Sequence, residues 1–203
     1  MKFGKVQTIY AAGGILAHSL VCGRDRFRKG KVLDEKDIRQ LIQFGYDEVV
    51  VARLEDNDTE ENLAAAKVAE NIHFLAEPEN FKKSIAFTGR VNIFASMTGI
   101  VVFDEENLIK ANSIDNMITI ATIPNYSQVT EGSIVATIKI ISYGVITSNL
   151  ETVASLATGT IRLKRPKYLS AHLITTKISR GTSNKSLNAC LLYTSDAADE
   201  EDS

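Results

Sequence analysis

The sequence predicts an α+β fold: a β-rich N-terminal unit, a mixed α/β middle unit, and then the first strand and loop of a three-layer α/β domain. Three observations predict it. Short β-branched runs recur between residues 6 and 141, as strands do. Helical segments, behind polar caps at Asp34 and Thr59 and from Asp104, interrupt them. The 203 residues are 44% hydrophobic and 24% charged, which suits a folded chain of one domain or two small ones and excludes disorder, collagen and a disulfide scaffold.

The first unit covers residues 1–54. Apolar segments 6–10 and 15–21 read as strands, with Gly13 and Gly14 forming a tight turn between them. A basic stretch, 24–31, follows. Asp34 then caps a helix whose Ile38, Leu41 and Ile42 keep helical spacing, Asp37 adds negative charge to its first turn, and Gly45 ends it. Residues 48–52 are a β-branched strand.

The second unit covers residues 55–157. After a polar joint at 55–58, residues 59–62 cap an alanine-rich helix reaching about Ile72, in which Leu63, Ala66, Lys67 and Glu70 divide an apolar face from a wet one. Beyond Pro78, strands are expected at 85–87, 91–95 and 99–103, then a helix from Asp104 to about Ala111. Alternation predicts half-buried strands at 117–123, ended by Pro124, and at 134–141 after the turn at 131–133. Asn149 is expected to cap a helix over 150–156. Residues 157–167, with Pro166 and a run of basic side chains, read as a linker at a domain boundary. A strand over 169–176 and a loop over 179–185, capped into a helix near Ser186, open the next domain, 168–189.

Formal charge is −2, but five of the 25 acidic residues fall in the last eight, and the rest of the chain has 23 basic residues against 20 acidic ones. Neither balance marks a nucleic-acid binder. Cys22 and Cys190 are too far apart for a metal-ligand pair and too few for a disulfide framework, so a reducing compartment is expected. With no signal peptide and no apolar run near the roughly 18 residues of a membrane span, a cytoplasmic protein with no membrane partner is expected. Residues 190–203 resemble the conceptual translation of a transposon-derived sequencing adapter, and are set apart from fold reasoning as a non-native tail on a reading frame that continues beyond Ala189. A native, solvated acidic tail is the alternative.

Four segments, 1–4, 14–20, 29–33 and 48–54, together with 87–93, 115–124 and 135–141, resemble in order and spacing the N-terminal part of molybdopterin-binding proteins related to molybdopterin molybdenumtransferase. That group is often fused to a nucleotidyltransferase of molybdenum-cofactor maturation. The resemblance covers residues 1–189. It implies a pterin site mainly in a three-layer α/β domain, where a glycine-rich loop at a helix N-terminus holds phosphate. In the transferase relatives the first strand of that domain ends in a Thr-Gly-Asp-Glu run followed by Asp-Ser-Asn. This chain has Thr175, Thr176, Lys177 and Ile178, then Thr182, Ser183 and Asn184. The metal-holding acids are missing, so the resemblance implies pterin contact by Thr182, Ser183, Asn184 and Lys185 rather than molybdenum insertion. The same Ser and Asn also serve as an ordinary loop-to-helix cap.

Other candidates have plainer readings beside functional ones. His18 lies in an apolar segment and reads as a packing residue as readily as a proton carrier; His73 and His172 are isolated. The basic stretch 24–31 offers an anion or pterin site or a solvated hairpin. Thr88, Gly89, Arg90 and Asn92 combine a glycine turn with a guanidinium and an amide, an anion donor set or a structural turn. No nucleophile-base pair, P-loop, dinucleotide fingerprint or metal-spaced His or Cys set occurs. The expected function is molybdopterin binding by positioning for a molybdoenzyme or maturation partner. Molybdenumtransferase or molybdopterin nucleotidyltransferase activity in a longer protein, or a ligand-free homo-oligomerisation scaffold, are the rivals.

Overall fold

The structure, a computed structural model, describes residues 1–73 and 78–167. It is α+β, with four helices and antiparallel strand pairs among the described residues. Residues 1–167 form one compact unit around two apolar cores. The segment 168–203, with the expected strand at 169–176, the candidate residues Thr182, Ser183, Asn184 and Lys185 and the adapter-like tail, lies outside the described residues.

In the N-terminal lobe, β1 (Lys2–Gln7) and β2 (Ile15–Leu16) flank β5 (Glu48–Arg53), Lys2 pairing with Arg53 and Leu16 with Val51. The glycine pair is therefore not a hairpin turn, because β5 inserts between the strands it joins and a single 3-10 turn occupies Thr8–Tyr10. Gly14 instead permits close approach: a Cβ there would meet the Val51 Cβ at 2.9 Å. The basic stretch closes a hairpin of β3 (Leu20–Cys22) and β4 (Asp25–Phe27). Helix α1 (Glu35–Gln43) begins in a capping box, with the Asp34 carboxylate accepting from the Lys36 and Asp37 amides at 2.8 Å. Ile38 and Leu41 are buried against Leu16, Leu33 and Val51, while Ile42 is exposed.

The second lobe opens with β6 (Asp58–Glu60), which pairs with β13 (Gly144–Ile146); neither strand was expected. Glu60 supplies the cap of α2 (Glu61–His73), its carboxylate accepting from the Asn62 and Leu63 amides. The helix buries Ala64, Ala65, Val68, Ala69 and Ile72 completely and leaves Leu63 exposed, so the small side chains form the packing face. Its floor is a four-stranded sheet, ordered β10 (Ile118–Thr122), β12 (Ile134–Ile140), β8 (Arg90–Ala95), β7 (Phe81–Lys83). The strand expected at 85–87 is absent: Ile85 and Phe87 are 92% and 76% exposed, and Phe81–Lys83 takes the place beside β8. Helix α3 (Glu105–Asn112) matches the helix expected from Asp104, and the Asp104 carboxylate caps it by accepting from the Asn107 amide at 3.2 Å. Helix α4 (Thr147–Ala157) starts before Asn149, whose amide donates to Asp115 instead of capping. Finally β9 (Gly99–Phe103) lies between β11 (Gln128–Val129) and β14 (Ile161–Lys164). The stretch read as a linker thus contains a core strand: Ile161 and Leu163 alternate inward while Arg162 and Lys164 face water.

Candidate functional site: a cationic cleft between the lobes

Tyr143 joins the lobes. Its hydroxyl donates to the Ala17 carbonyl at 3.0 Å, its ring stacks on Phe3 at 6.5 Å, and its carbonyl accepts from the Glu61 amide at 3.1 Å. Partial burial, with Glu61 nearby, holds the Tyr143 phenol above its ordinary pKa. Beside this joint opens a cleft of about 740 Å³, within the size range of small-molecule sites.

One wall of the cleft is the basic hairpin, which contributes Arg26, Arg28 and Lys29. Lys29 is positioned by its amide, which donates to the Ser19 hydroxyl at 3.0 Å, and its ammonium lies 5.7 Å from the centre of the Tyr143 ring. The other wall is the turn from Phe87 to Arg90 with Lys139 of β12. Both central residues of that turn have positive φ, Thr88 at 48° and Gly89 at 67°. Gly89 suits the left-handed region; a β-branched threonine does not, and such outliers cluster at functional sites. The turn is pinned on both sides. The Gly89 amide donates to Asn62 at 3.0 Å, the Gly89 carbonyl accepts from the Ile140 amide at 2.7 Å, and the Lys139 ammonium donates to the Thr88 carbonyl. A side chain at Gly89 would meet the Ile140 carbonyl at 2.8 Å and the Glu61 carboxylate at 3.0 Å.

The charges are unbalanced. In the antiparallel register Lys139 faces Arg90 directly, an opposition of like charges that disfavours the sheet. Arg90 and Asn92 line a neighbouring cleft of about 400 Å³ that shares Thr88 and Lys139 with the first. Among the described residues, none of Arg26, Arg28, Lys29, Arg90 and Lys139 forms an ion pair. By contrast Lys31, next to them in sequence, is held by the buried Asp37. Among the described residues the one carboxylate in the larger cleft is that of Glu61, which is partly buried; desolvation raises its pKa above the ordinary glutamate value, and Lys139 pulls it back. The arrangement can bind an anion between two walls. Among the described residues, no group of three or more His, Cys, Asp and Glu could hold a metal ion.

Two motifs that the sequence offered separately, 24–31 and 88–92, are therefore brought together, with Arg24 outside the cleft lining. Glu61, Lys139 and Tyr143 were not anticipated. Strand alternation does place Lys139 off the core face, but nothing local indicates that it faces Arg90. His18 sits exposed in a bend between β2 and β3, not in a strand. No described helix is long and apolar enough to cross a membrane. The family described as Domain of unknown function (DUF8806) matches residues 5–53, which contain the basic hairpin but not the opposite wall of the cleft. No curated protein and no solved structure matches the chain.

Proposed function

We propose that the cleft binds a phosphorylated small molecule, and that this molecule is molybdopterin or its nucleotide form, held in molybdenum-cofactor biosynthesis for a partner enzyme. The observation that carries the reading is the set of cations without an ion-pair partner among the described residues, Arg26, Arg28, Lys29 and Lys139, drawn from two distant chain segments around a strained Thr-Gly turn. Uncompensated cations lower the stability of the free protein and are neutralised by a bound phosphate through charge-assisted hydrogen bonds. A cleft of about 740 Å³ has room for a bicyclic ring with its phosphate. The choice of pterin rests on the family resemblance of residues 1–189, which by itself implies pterin contact by Thr182, Ser183, Asn184 and Lys185, outside the described residues. The chemistry assigned to the cleft is positioning rather than bond making: the guanidinium and ammonium groups fix the phosphate, and the fixed ring is presented to a second active site.

Calorimetry with molybdopterin tests this. The chain binds it at micromolar concentration, more weakly at higher ionic strength, and the double variant R28E/K139E loses at least roughly tenfold in affinity, since two charge-assisted contacts of about 1.5–3 kcal/mol each become repulsions. No heat at high micromolar ligand, or affinity unchanged by the double reversal, removes the reading.

A further inference from the structure

We propose that Glu61 is the specificity-determining residue of this cleft, accepting two adjacent N–H donors from the 2-amino-4-oxo edge of a phosphorylated pterin or guanine while the surrounding cations hold the phosphate. This rests on the cleft being an anion site. A site built for phosphate alone gains nothing from a carboxylate, which repels the ligand and costs desolvation. Yet Glu61 lines the cleft, partly buried, and forms no ion pair or side-chain hydrogen bond among the described residues, although Lys139 and Lys29 line the same cleft and act on it electrostatically. Its position is also fixed. The Glu61 amide donates to the Tyr143 carbonyl, the residue begins α2, and its carboxylate lies so close to the Thr88–Gly89 turn that a side chain at Gly89 would meet it at 3.0 Å.

A carboxylate with two acceptor oxygens complements a pair of parallel N–H donors. The 2-amino-4-oxo ring of pterin and of guanine carries such a pair, in the 2-amino group and the adjacent ring N–H. Adenine instead places a ring-nitrogen lone pair beside its amino group, which a carboxylate repels. An unpaired acceptor in a recognition site is what makes discrimination by hydrogen-bonding groups large.

The test is binding of four probes, inorganic phosphate, 6-hydroxymethylpterin phosphate, GMP and AMP, to the wild-type chain and to Glu61→Gln at one ionic strength. The wild type is expected to bind the pterin phosphate or GMP at least tenfold more tightly than AMP, the tighter of the two identifying the ring. In E61Q that preference disappears, and inorganic phosphate binds as well as before or better. A wild type that binds AMP as tightly as both other rings overturns the proposal without any variant, leaving the anion site standing. Preference retained in E61Q overturns it in the same way. Failure of all four probes to bind the wild type removes the anion site and this proposal together.

Discussion

Thr88 holds a left-handed backbone conformation at φ 48° while its carbonyl accepts from Lys139 and its neighbour Gly89 is bonded to Asn62 and Ile140. A residue with a side chain in that region costs roughly 1–2 kcal/mol, and asparagine tolerates it far better than threonine. Thr88→Asn is therefore expected to stabilise the fold by roughly 1 kcal/mol, read as a higher urea midpoint with an unchanged slope. A lower midpoint means that the threonine side chain contributes to the turn in a way its backbone angles do not reveal. At this scale the sequence was partly informative. The run from Thr88 to Asn92 reads as a polar turn with an anion donor, because glycine, arginine and asparagine state their chemistry locally. Glu61 does not: beside Glu60 it looks like any acid in the first turn of a helix, and only its amide's bond to Tyr143, next to the pairing of β6 with β13, brings it into the cleft that Lys139 also lines.

Besides sharing the core, helix α3 and the edge strand β10 are tied together by the Asn112 side chain. Asn112 accepts from the Ile120 amide at 2.8 Å and donates to the Ile120 carbonyl at 2.9 Å, satisfying the outer edge of the sheet. Asn112→Ala leaves both groups unpaired beside a buried strand, and a loss of roughly 1–3 kcal/mol is expected by chemical denaturation. A change below a few tenths contradicts the clamp. Elements with strong local signals were legible in advance: the Asp34 cap, the helix from Asp104, and the alternation of β10 and β12. Those misread were decided by distant partners. Residues 85–87 have strand-forming side chains, but here they turn back into β8 with a single bridge, Phe87 to Arg90, and Ile85 and Phe87 stay exposed without a core to face. Residues 161–164 look like a charged linker, yet every second side chain enters the core once β9 supplies a partner. Small residues hid the packing face of α2, since Ala64, Ala65 and Ala69 carry little hydrophobic pattern but allow close approach to the sheet.

The two lobes meet through Tyr143 and through the Met1 amine, which pairs with Asp58 at 2.6 Å and Glu55 at 3.0 Å. The Asp58 side chain is only 4% exposed. Its hydrogen bond from the amine, then one from the Glu55 amide, hold its carboxyl below the ordinary range, and Asp58 and Glu55 hold the amine above its own. A lowered carboxyl pKa contributes stability above its unfolded value near pH 4 that is lost on acidification, and a raised amine pKa contributes stability below about pH 8 that is lost as the amine deprotonates. The melting temperature should therefore be highest between about pH 4 and 8, and Asp58→Asn should lower it there while flattening the curve at both ends. An unchanged profile in D58N contradicts this account of the joint. The α+β class and the strands β5, β8, β9, β10 and β12 were legible from sequence, but the cleft was not, because its walls are about sixty residues apart or more and are joined by contacts such as Tyr143 to Ala17. The most direct test of the central claim, that this cleft is an anion site, is an amide chemical-shift titration of the labelled chain with inorganic pyrophosphate. Saturable shifts confined to the Lys29–Gly30 turn, the Thr88–Gly89 turn and the strand around Lys139 are the predicted result. Shifts absent from those three segments, or scattered over unrelated lysines, contradict it.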